Sequence, residues 1–473
     1  MAVQPCLSLD STRSPWFPTS PTLAPTLDSK SSPSAIVKAL RLGEILKYLR
    51  NTLIASLIAL AIAVGSAVAA PAKDKWVYGG INPQLTRAEP KAKPKTRISP
   101  SSVLAPIETC RIAQGDAELR NFSSGFPIKP ERMTLSASTK VAVLAVDFQD
   151  LRAKSNPRKD LADALSAMNS YYRSSATKPV SFDFITPSTY FNLPRSVADY
   201  GLGGDFFAGG FDQQKQENYW NYVRAAIAVA DPTVDFTGVK TIIVAGPPSI
   251  TNAQIGVFVA QAATSDQAFQ TAEGPVANVL IRGNDQVRDL ANWTHEMGHM
   301  LGLTDIRDTR NLGAQKSDGM GAFDLMANHM VPELTVWHRF LLGIVNDNQI
   351  RCVTQEAASV HWIRPVAEKT TGVKGVVIPL GPNEALVVES RRSLGYDTRL
   401  FKSQEGALVY SLDTRIKYRQ SPMKIIPPSR SVDRFSELDS ALRKNESVLF
   451  RNWKISVLES GVFGDVVRIE KVQ

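Results

Sequence analysis

Two histidines four residues apart, His295 and His299, restrict the fold of this 473-residue chain more than any other feature. Positions i and i+4 share one face of a helix, so both imidazoles can reach one metal ion only if the segment is helical. Gly302 is a typical residue at which a helix ends. The sequence therefore predicts a helix here, because the apolar residues follow the helical period at Val287, Leu290, Ala291, Thr294, Met297, Gly298 and Leu301.

The motif continues beyond the second histidine and has the pattern His-Glu-x-x-His-x-x-Gly-x-x-Asp. A glycine at that position lets the chain turn sharply, and the residue three positions later returns towards the metal. We therefore predict that one Zn²⁺ ion is bound by His295, His299 and Asp305, with a fourth position open. Asp308 is the alternative third ligand. Glu296 is predicted to be the general base.

A glycine-rich segment, residues 317–326, follows the motif and ends in an apolar triplet centred on Met326. In zinc peptidases with the elongated motif, a methionine turn lies beneath the metal. The alternative is an ordinary core methionine. Because the zinc motif precedes it, we expect Met326 to form a methionine turn.

The distribution of strand and helix patterns predicts two kinds of architecture along the chain. Residues 108–352 alternate short apolar runs with helical patterns, which indicates an α/β catalytic domain. Residues 353–473 have closely spaced strands and turns, which indicates a C-terminal β-rich domain. The clearest elements are predicted strands at residues 141–148, 239–245 and 276–281, predicted helices at 160–172 and 216–230, and a hairpin over 373–389.

The basic charge is concentrated near the amino terminus. Of the formal net charge of +9, residues 1–107 carry +8, so the remaining body is nearly neutral and does not indicate a nucleic-acid partner. Residues 1–34 are predicted to be disordered or to precede the true start of translation. Residues 35–70 have the pattern of a signal peptide, and residues 71–107 that of a basic, proline-rich linker or short pro-segment. We therefore expect a secreted or periplasmic protein without a stable membrane anchor; the alternative is an uncleaved anchor over residues 51–72.

Cysteine usage agrees with export. Cys6 would be removed with the leader, which leaves Cys110 and Cys352 to form one disulfide in an oxidising compartment. The alternative is that Cys110 serves as a latency ligand of the metal, which requires a free thiolate.

Several segments resemble the immune inhibitor A family of secreted bacterial zinc metallopeptidases. They are THEMGHMLGLTDIRD from Thr294, GAFDLMAN from Gly321, PELTVWHRFLLGIV from Pro332 and VAVLAVDFQD from Val141. The resemblance implies a metzincin-like zinc peptidase domain followed by a β-sandwich-like domain, with His295, His299 and Asp305 as zinc ligands and Glu296 as general base.

The donor that would stabilise the oxyanion is less evident. Related zinc peptidases often use a tyrosine soon after the methionine turn, but no tyrosine occurs between Tyr222 and Tyr396. His329 is the candidate substitute, and a surface histidine is the alternative. His338 and His361 are expected to be structural.

Together these patterns predict a secreted zinc endopeptidase, a monomer that acts on protein or peptide substrates. Two alternatives stay open: a catalytically silent binding or surface protein on a peptidase scaffold, and a zinc amidase acting on cell-wall material. The intact His295, Glu296 and His299 favour an active enzyme, because a scaffold does not need the glutamate. A structural Ca²⁺ ion is a further option.

Overall fold

The computed structural model describes residues 92–115, 121–203, 213–255, 257–261, 267–282, 290–306, 319–327, 331–417, 420–431 and 437–473. The predicted leader, residues 1–70, and the first part of the predicted linker lie outside these ranges. All the described residues belong to one compact unit. Among the described helices, none has both the length and the apolar composition that crossing a bilayer requires.

The described residues form mixed α/β structure with a parallel sheet and separate β-rich sheets. The helices are α1 (Pro157–Asp160), α2 (Ala162–Ser175), α3 (Gln213–Ala230), α4 (Asn252–Ile255), α5 (Leu290–Met300) and α6 (Val336–Leu341). The strands of the first half are β1 (Thr139–Asp147), β2 (Phe182–Ile185), β3 (Phe191–Asn192), β4 (Thr241–Ala245), β5 (Val257–Gln261), β6 (Phe269–Thr271), β7 (Gly274–Val276) and β8 (Asn278–Arg282). Those of the second half are β9 (Ile350–Cys352), β10 (Ser359–Ile363), β11 (Gly375–Gly381), β12 (Glu384–Arg391), β13 (Gly406–Asp413), β14 (Met423–Ile425), β15 (Ser447–Phe450), β16 (Trp453–Gly461) and β17 (Gly464–Lys471).

The parallel sheet has the strand order β2-β1-β4-β8-β5, and only β5 runs antiparallel to its neighbour. The interior strand β1, which pairs with β2 and β4, is buried on both faces, as its unbroken apolar run predicts. Val141 and Val143 belong to the core on one face, whereas Ala142 and Leu144 belong to the core on the other. The predicted strands and helices of this region are confirmed, with end points shifted by a few residues.

Helix α5 contributes to the first of these two cores. Met297 and Leu301 lie in the same cluster as Val143 of β1 and Met168 of α2. The Tyr172 hydroxyl of α2 donates a hydrogen bond of 2.9 Å to the backbone carbonyl of Thr294. The motif helix is therefore packed against the sheet and α2, and this packing fixes the position of its histidines relative to the core.

The second half of the chain forms two sheets that share one core. One has the order β14-β13-β12-β11-β9 and the other β10-β17-β16-β15. Val376 and Val409 of the first sheet pack in the same cluster as Ile455 and Val467 of the second. The predicted hairpin is confirmed, since β11 and β12 pair antiparallel.

The other face of the five-stranded sheet packs against the first half of the chain and the residues that follow the motif helix. Val387 and Tyr410 lie in the same apolar cluster as Met326 and Trp337. This core therefore includes residues on both sides of the predicted boundary at residue 352.

The segment before Cys110 contacts the second half of the chain. The Ser99 amide donates to the Val360 carbonyl at 2.9 Å, and the Ala105 amide donates to the Cys352 carbonyl at 3.0 Å. Cys110 and Cys352 lie at disulfide distance, with 2.14 Å between the sulfurs. The end of the predicted linker, from residue 92 onward, is thus held against the C-terminal sheets.

Candidate metal centre

Helix α5 ends as the motif predicts. The Gly302 amide donates to the His299 carbonyl at 2.9 Å, and the Leu303 amide donates to the Gly298 carbonyl at 3.0 Å. This pair of bonds is a Schellman motif, which needs a left-handed residue, and Gly302 has φ of 97°. A Cβ at Gly302 would also lie 2.7 Å from a methyl carbon of Ile128. The glycine therefore permits both the turn and the close packing behind it.

Both motif histidines are buried and oriented by backbone carbonyls. The His295 Nδ1 lies 2.9 Å from the Leu325 carbonyl oxygen, and the His299 Nδ1 lies 2.8 Å from the Leu303 carbonyl oxygen. A carbonyl oxygen can only accept, so each Nδ1 carries the hydrogen. In the neutral rings the lone pair is then on Nε2, which is the arrangement that metal-binding histidines adopt.

The ligand atoms of His295, Glu296 and His299 lie within 4.8 Å of one another, so this buried group can hold a metal ion. Asp305 also reaches it, since its Oδ1 is 3.2 Å from the His295 Nε2 and 3.8 Å from the His299 Nε2. A tetrahedral site with metal–ligand bonds of about 2.1 Å places neighbouring donors about 3.4 Å apart. The two distances from Asp305 are close to this spacing, so its carboxylate could hold a metal ion together with the two histidines.

The charges around the histidines favour a cation. Burial alone lowers the pKa of His295, but the hydrogen bond with Asp305 and the negative charges of Glu296 and Asp305 outweigh burial and raise it. The Glu296 Oε2 lies 3.9 Å from the His299 Nε2. Two carboxylates thus flank the two imidazoles, and positive charge is stabilised at the point where the donor atoms converge.

Met326 lies directly beneath the motif helix. It is fully buried, and its sulfur would be 2.5 Å from a Cβ added at Gly298, between the two histidines. The preceding residue, Leu325, supplies the carbonyl that orients His295. The Met326 carbonyl accepts from the Ile306 amide at 3.2 Å, next to Asp305. This turn therefore contacts the segments that carry two of the candidate ligands.

Sequence reasoning missed Asp324, which holds this turn. Its Oδ1 accepts from the Met326 amide at 2.7 Å, and its Oδ2 accepts from the Thr335 amide at 2.7 Å and from the His338 Nδ1 at 2.9 Å. Burial alone raises the pKa of Asp324, but His338 and the amide donors outweigh burial and lower it. The spacing from Asp324 to His338 follows no recognised motif, so no pattern in the sequence indicates the pair.

Phe122 was also missed. Its ring centroid lies 4.7 Å from that of His299, and the adjacent Ser123 amide donates to the Gly302 carbonyl at 2.8 Å. The segment that contains Phe122 and Ser123 therefore lies along the end of the motif. No local pattern in the sequence marks this contact, because it joins positions almost 180 residues apart.

Other predicted residues are placed as follows. Asp308 and His329 lie outside the described residues. His338 is buried beside Asp324, and His361 is buried in β10, with its Nε2 2.8 Å from the Ser359 hydroxyl. Cys110 is bonded to Cys352 and not free, as the disulfide prediction requires.

Comparisons with known proteins return no family model that matches this chain and no curated protein that matches it significantly.

Proposed function

We propose that this chain is a secreted zinc-dependent endopeptidase with a metzincin-like catalytic domain. The proposed zinc ligands are His295, His299 and Asp305, and the proposed general base is Glu296. The methionine beneath the helix, the glycine turn and the third acidic donor support this class. The disulfide is consistent with an extracellular protein.

The observation that carries the proposal is the place of Glu296. Its carboxylate belongs to the same group as both histidines, and its Oε2 lies 3.9 Å from the His299 Nε2. The Asp305 carboxylate also reaches both Nε2 atoms, so with Asp305 as the proposed third ligand the ion would not need Glu296. A carboxylate that adjoins the ion without being needed to bind it is suited to proton transfer. A binding protein on a peptidase scaffold has no need of this group.

The chain's own residues define the proton path. A bound zinc ion would supply Lewis-acid polarisation of a peptide carbonyl and would acidify a water molecule at the open position. Glu296 would accept the proton of that water and return it to the leaving amine. His295 and His299 stay fixed during this cycle, because carbonyl oxygens hold their Nδ1 hydrogens. Asp305 would offset one of the two positive charges of the ion.

The test compares Glu296→Gln with the wild type for zinc content and for cleavage of a fluorescently labelled unfolded protein. Glu217→Gln is the matched control, since Glu217 forms an exposed ion pair with Arg224 on α3. We expect all three proteins to bind one zinc ion. Glu296→Gln should reduce hydrolysis by about 10²- to 10⁴-fold, and the control should not change it.

Three outcomes would contradict the proposal. Equal hydrolysis by Glu296→Gln would remove the glutamate from the mechanism. Zinc binding without cleavage of any unfolded protein by the wild type would favour a silent binding protein. Release of fragments from purified peptidoglycan, without cleavage of the unfolded protein, would favour a zinc amidase.

A further inference from the structure

A buried group of charged residues joins the C-terminal sheet to the methionine turn. Arg391, at the end of β12, is fully buried. Its Nη1 donates to the Asp397 carboxylate at 2.8 Å, and its Nε donates to the Glu389 carboxylate at 2.7 Å. Its Nη2 donates to the backbone carbonyl of Phe323, the residue at which the methionine turn begins. One guanidinium therefore connects two carboxylates of the second half of the chain to the backbone beneath the metal centre.

The same carboxylates bind backbone amides on the catalytic side. The Glu389 Oε2 accepts from the Val336 amide at 2.6 Å, at the start of α6. The Asp397 Oδ1 accepts from the Glu333 amide at 3.1 Å. The buried charged group therefore holds both the start of the methionine turn and the segment that follows the turn.

From the turn, the contacts continue to the ligands. The Leu325 carbonyl accepts from His295, and the Met326 carbonyl accepts from Ile306, which adjoins Asp305. A displacement of the turn would move a hydrogen-bond acceptor of one ligand and an anchor of another. Outer contacts of this kind orient metal ligands, and their loss typically costs about 10- to 100-fold in metal affinity.

We propose that Arg391 is a positioning residue of the metal centre, which acts through the Phe323 to Met326 turn on His295 and Asp305. The C-terminal sheet is then part of the metal centre's support and not a separable binding module. This inference rests on the proposed function only in that it requires the metal to bind at the motif.

A planar guanidinium suits this position better than an ammonium group. Burial alone lowers the pKa of Arg391, but Asp397 and Glu389 outweigh burial and raise it, so the charge is permanent. Lysine has the same charge but cannot donate in three fixed directions from one plane. Arg391→Lys therefore preserves the charge and removes the geometry.

The test uses the full mature protein and measures two quantities. The first is the Zn²⁺ dissociation constant, obtained by competition with a chelating indicator. The second is the visible absorption spectrum of the Co²⁺-substituted protein, which reports the geometry of the ligands. Thermal unfolding of the metal-free proteins records stability separately.

The matched control is Arg392→Lys. Arg392 is the next residue along the chain, and its guanidinium binds Asp465 at 2.8 Å and the Gly464 carbonyl at 2.9 Å in the other sheet. We expect Arg391→Lys to weaken zinc binding by about 10-fold, the lower end of the range for groups that contact ligands directly, and to change the cobalt spectrum. Arg392→Lys should leave zinc affinity within about twofold and the spectrum unchanged, even if it lowers thermal stability.

If Arg391→Lys does not fold, Asp397→Asn takes its place, because it removes one charge partner of Arg391 and preserves the shape. We expect it to weaken zinc binding several-fold. A folded Arg391→Lys or Asp397→Asn protein with wild-type zinc affinity and an unchanged cobalt spectrum would overturn the inference. A wild-type protein that binds no zinc would instead overturn the proposed function, so the two failures are distinguishable.

Discussion

At the scale of single residues, Gly298 decides how closely the methionine turn approaches the motif helix. A Cβ there would lie 2.5 Å from the Met326 sulfur and 3.3 Å from the Tyr172 hydroxyl, and both side chains are fully buried. Neither can move away without displacing other core atoms. The glycine is therefore a packing requirement, although alanine is the better helix former.

We expect Gly298→Ala to lower the free energy of unfolding by about 1–3 kcal/mol, the usual cost of overpacking a core. Urea unfolding of the metal-free protein measures this change. Gly381→Ala is the control, since nothing lies within 4 Å of a Cβ at that glycine. A Gly298→Ala protein as stable as the wild type would show that Met326 is not tightly packed against the helix.

The buried His361 should make stability depend on pH. Burial, and the nearby charge of Arg351, lower its pKa to about 4, from 6.5 in an unfolded chain. Below pH 6.5 the unfolded state therefore binds a proton that the folded state does not, and stability falls as the pH falls. Two and a half pKa units correspond to about 3 kcal/mol.

The measurement compares the wild type with His361→Gln by urea unfolding at pH 7 and pH 4. Between these values, the wild type should lose about 3 kcal/mol more than the variant. Equal losses in both proteins would mean that His361 is protonated in the folded state.

At the scale of elements, the sequence predicts well the structures that are formed by residues close together in the chain. The strand at residues 141–148 and the hairpin at 373–389 follow from patterns within a few residues of each other, and so does the helix that carries His295 and His299. The turn at Gly302 follows from the motif spacing.

The supporting contacts could not be predicted in this way. Asp324 and His338 pair across 14 residues, and Arg391 reaches Phe323 across 68. Such partners are set by tertiary packing, and a single sequence carries no periodic signal for them. The sequence therefore indicates which residues could hold a metal ion, whereas the structure shows which residues contact and support them.

At the scale of the whole molecule, the disulfide and the shared core hold the two halves together. Cys110 and Cys352 are 242 residues apart in sequence. A cross-link over so long a segment restricts the unfolded chain strongly. The disulfide also attaches residues 92–107, which lie just before Cys110, to β9.

We expect the double variant Cys110→Ser, Cys352→Ser to lower the free energy of unfolding by about 2–5 kcal/mol. Chemical denaturation with and without a reducing agent measures the effect. Reduction should bring the wild type down to the stability of the variant and leave the variant unchanged. A wild type that is insensitive to reduction would contradict a stabilising disulfide.

The central claim is that His295, His299 and Asp305 bind one zinc ion, and anomalous X-ray diffraction at the zinc edge of the zinc-loaded protein tests it most directly. We expect one strong peak, about 2.0–2.2 Å from the two Nε2 atoms and from a carboxylate oxygen of Asp305. A peak coordinated by Asp308 in place of Asp305 would correct the third ligand. A peak away from both histidines, or none in zinc-saturated crystals, would contradict the account.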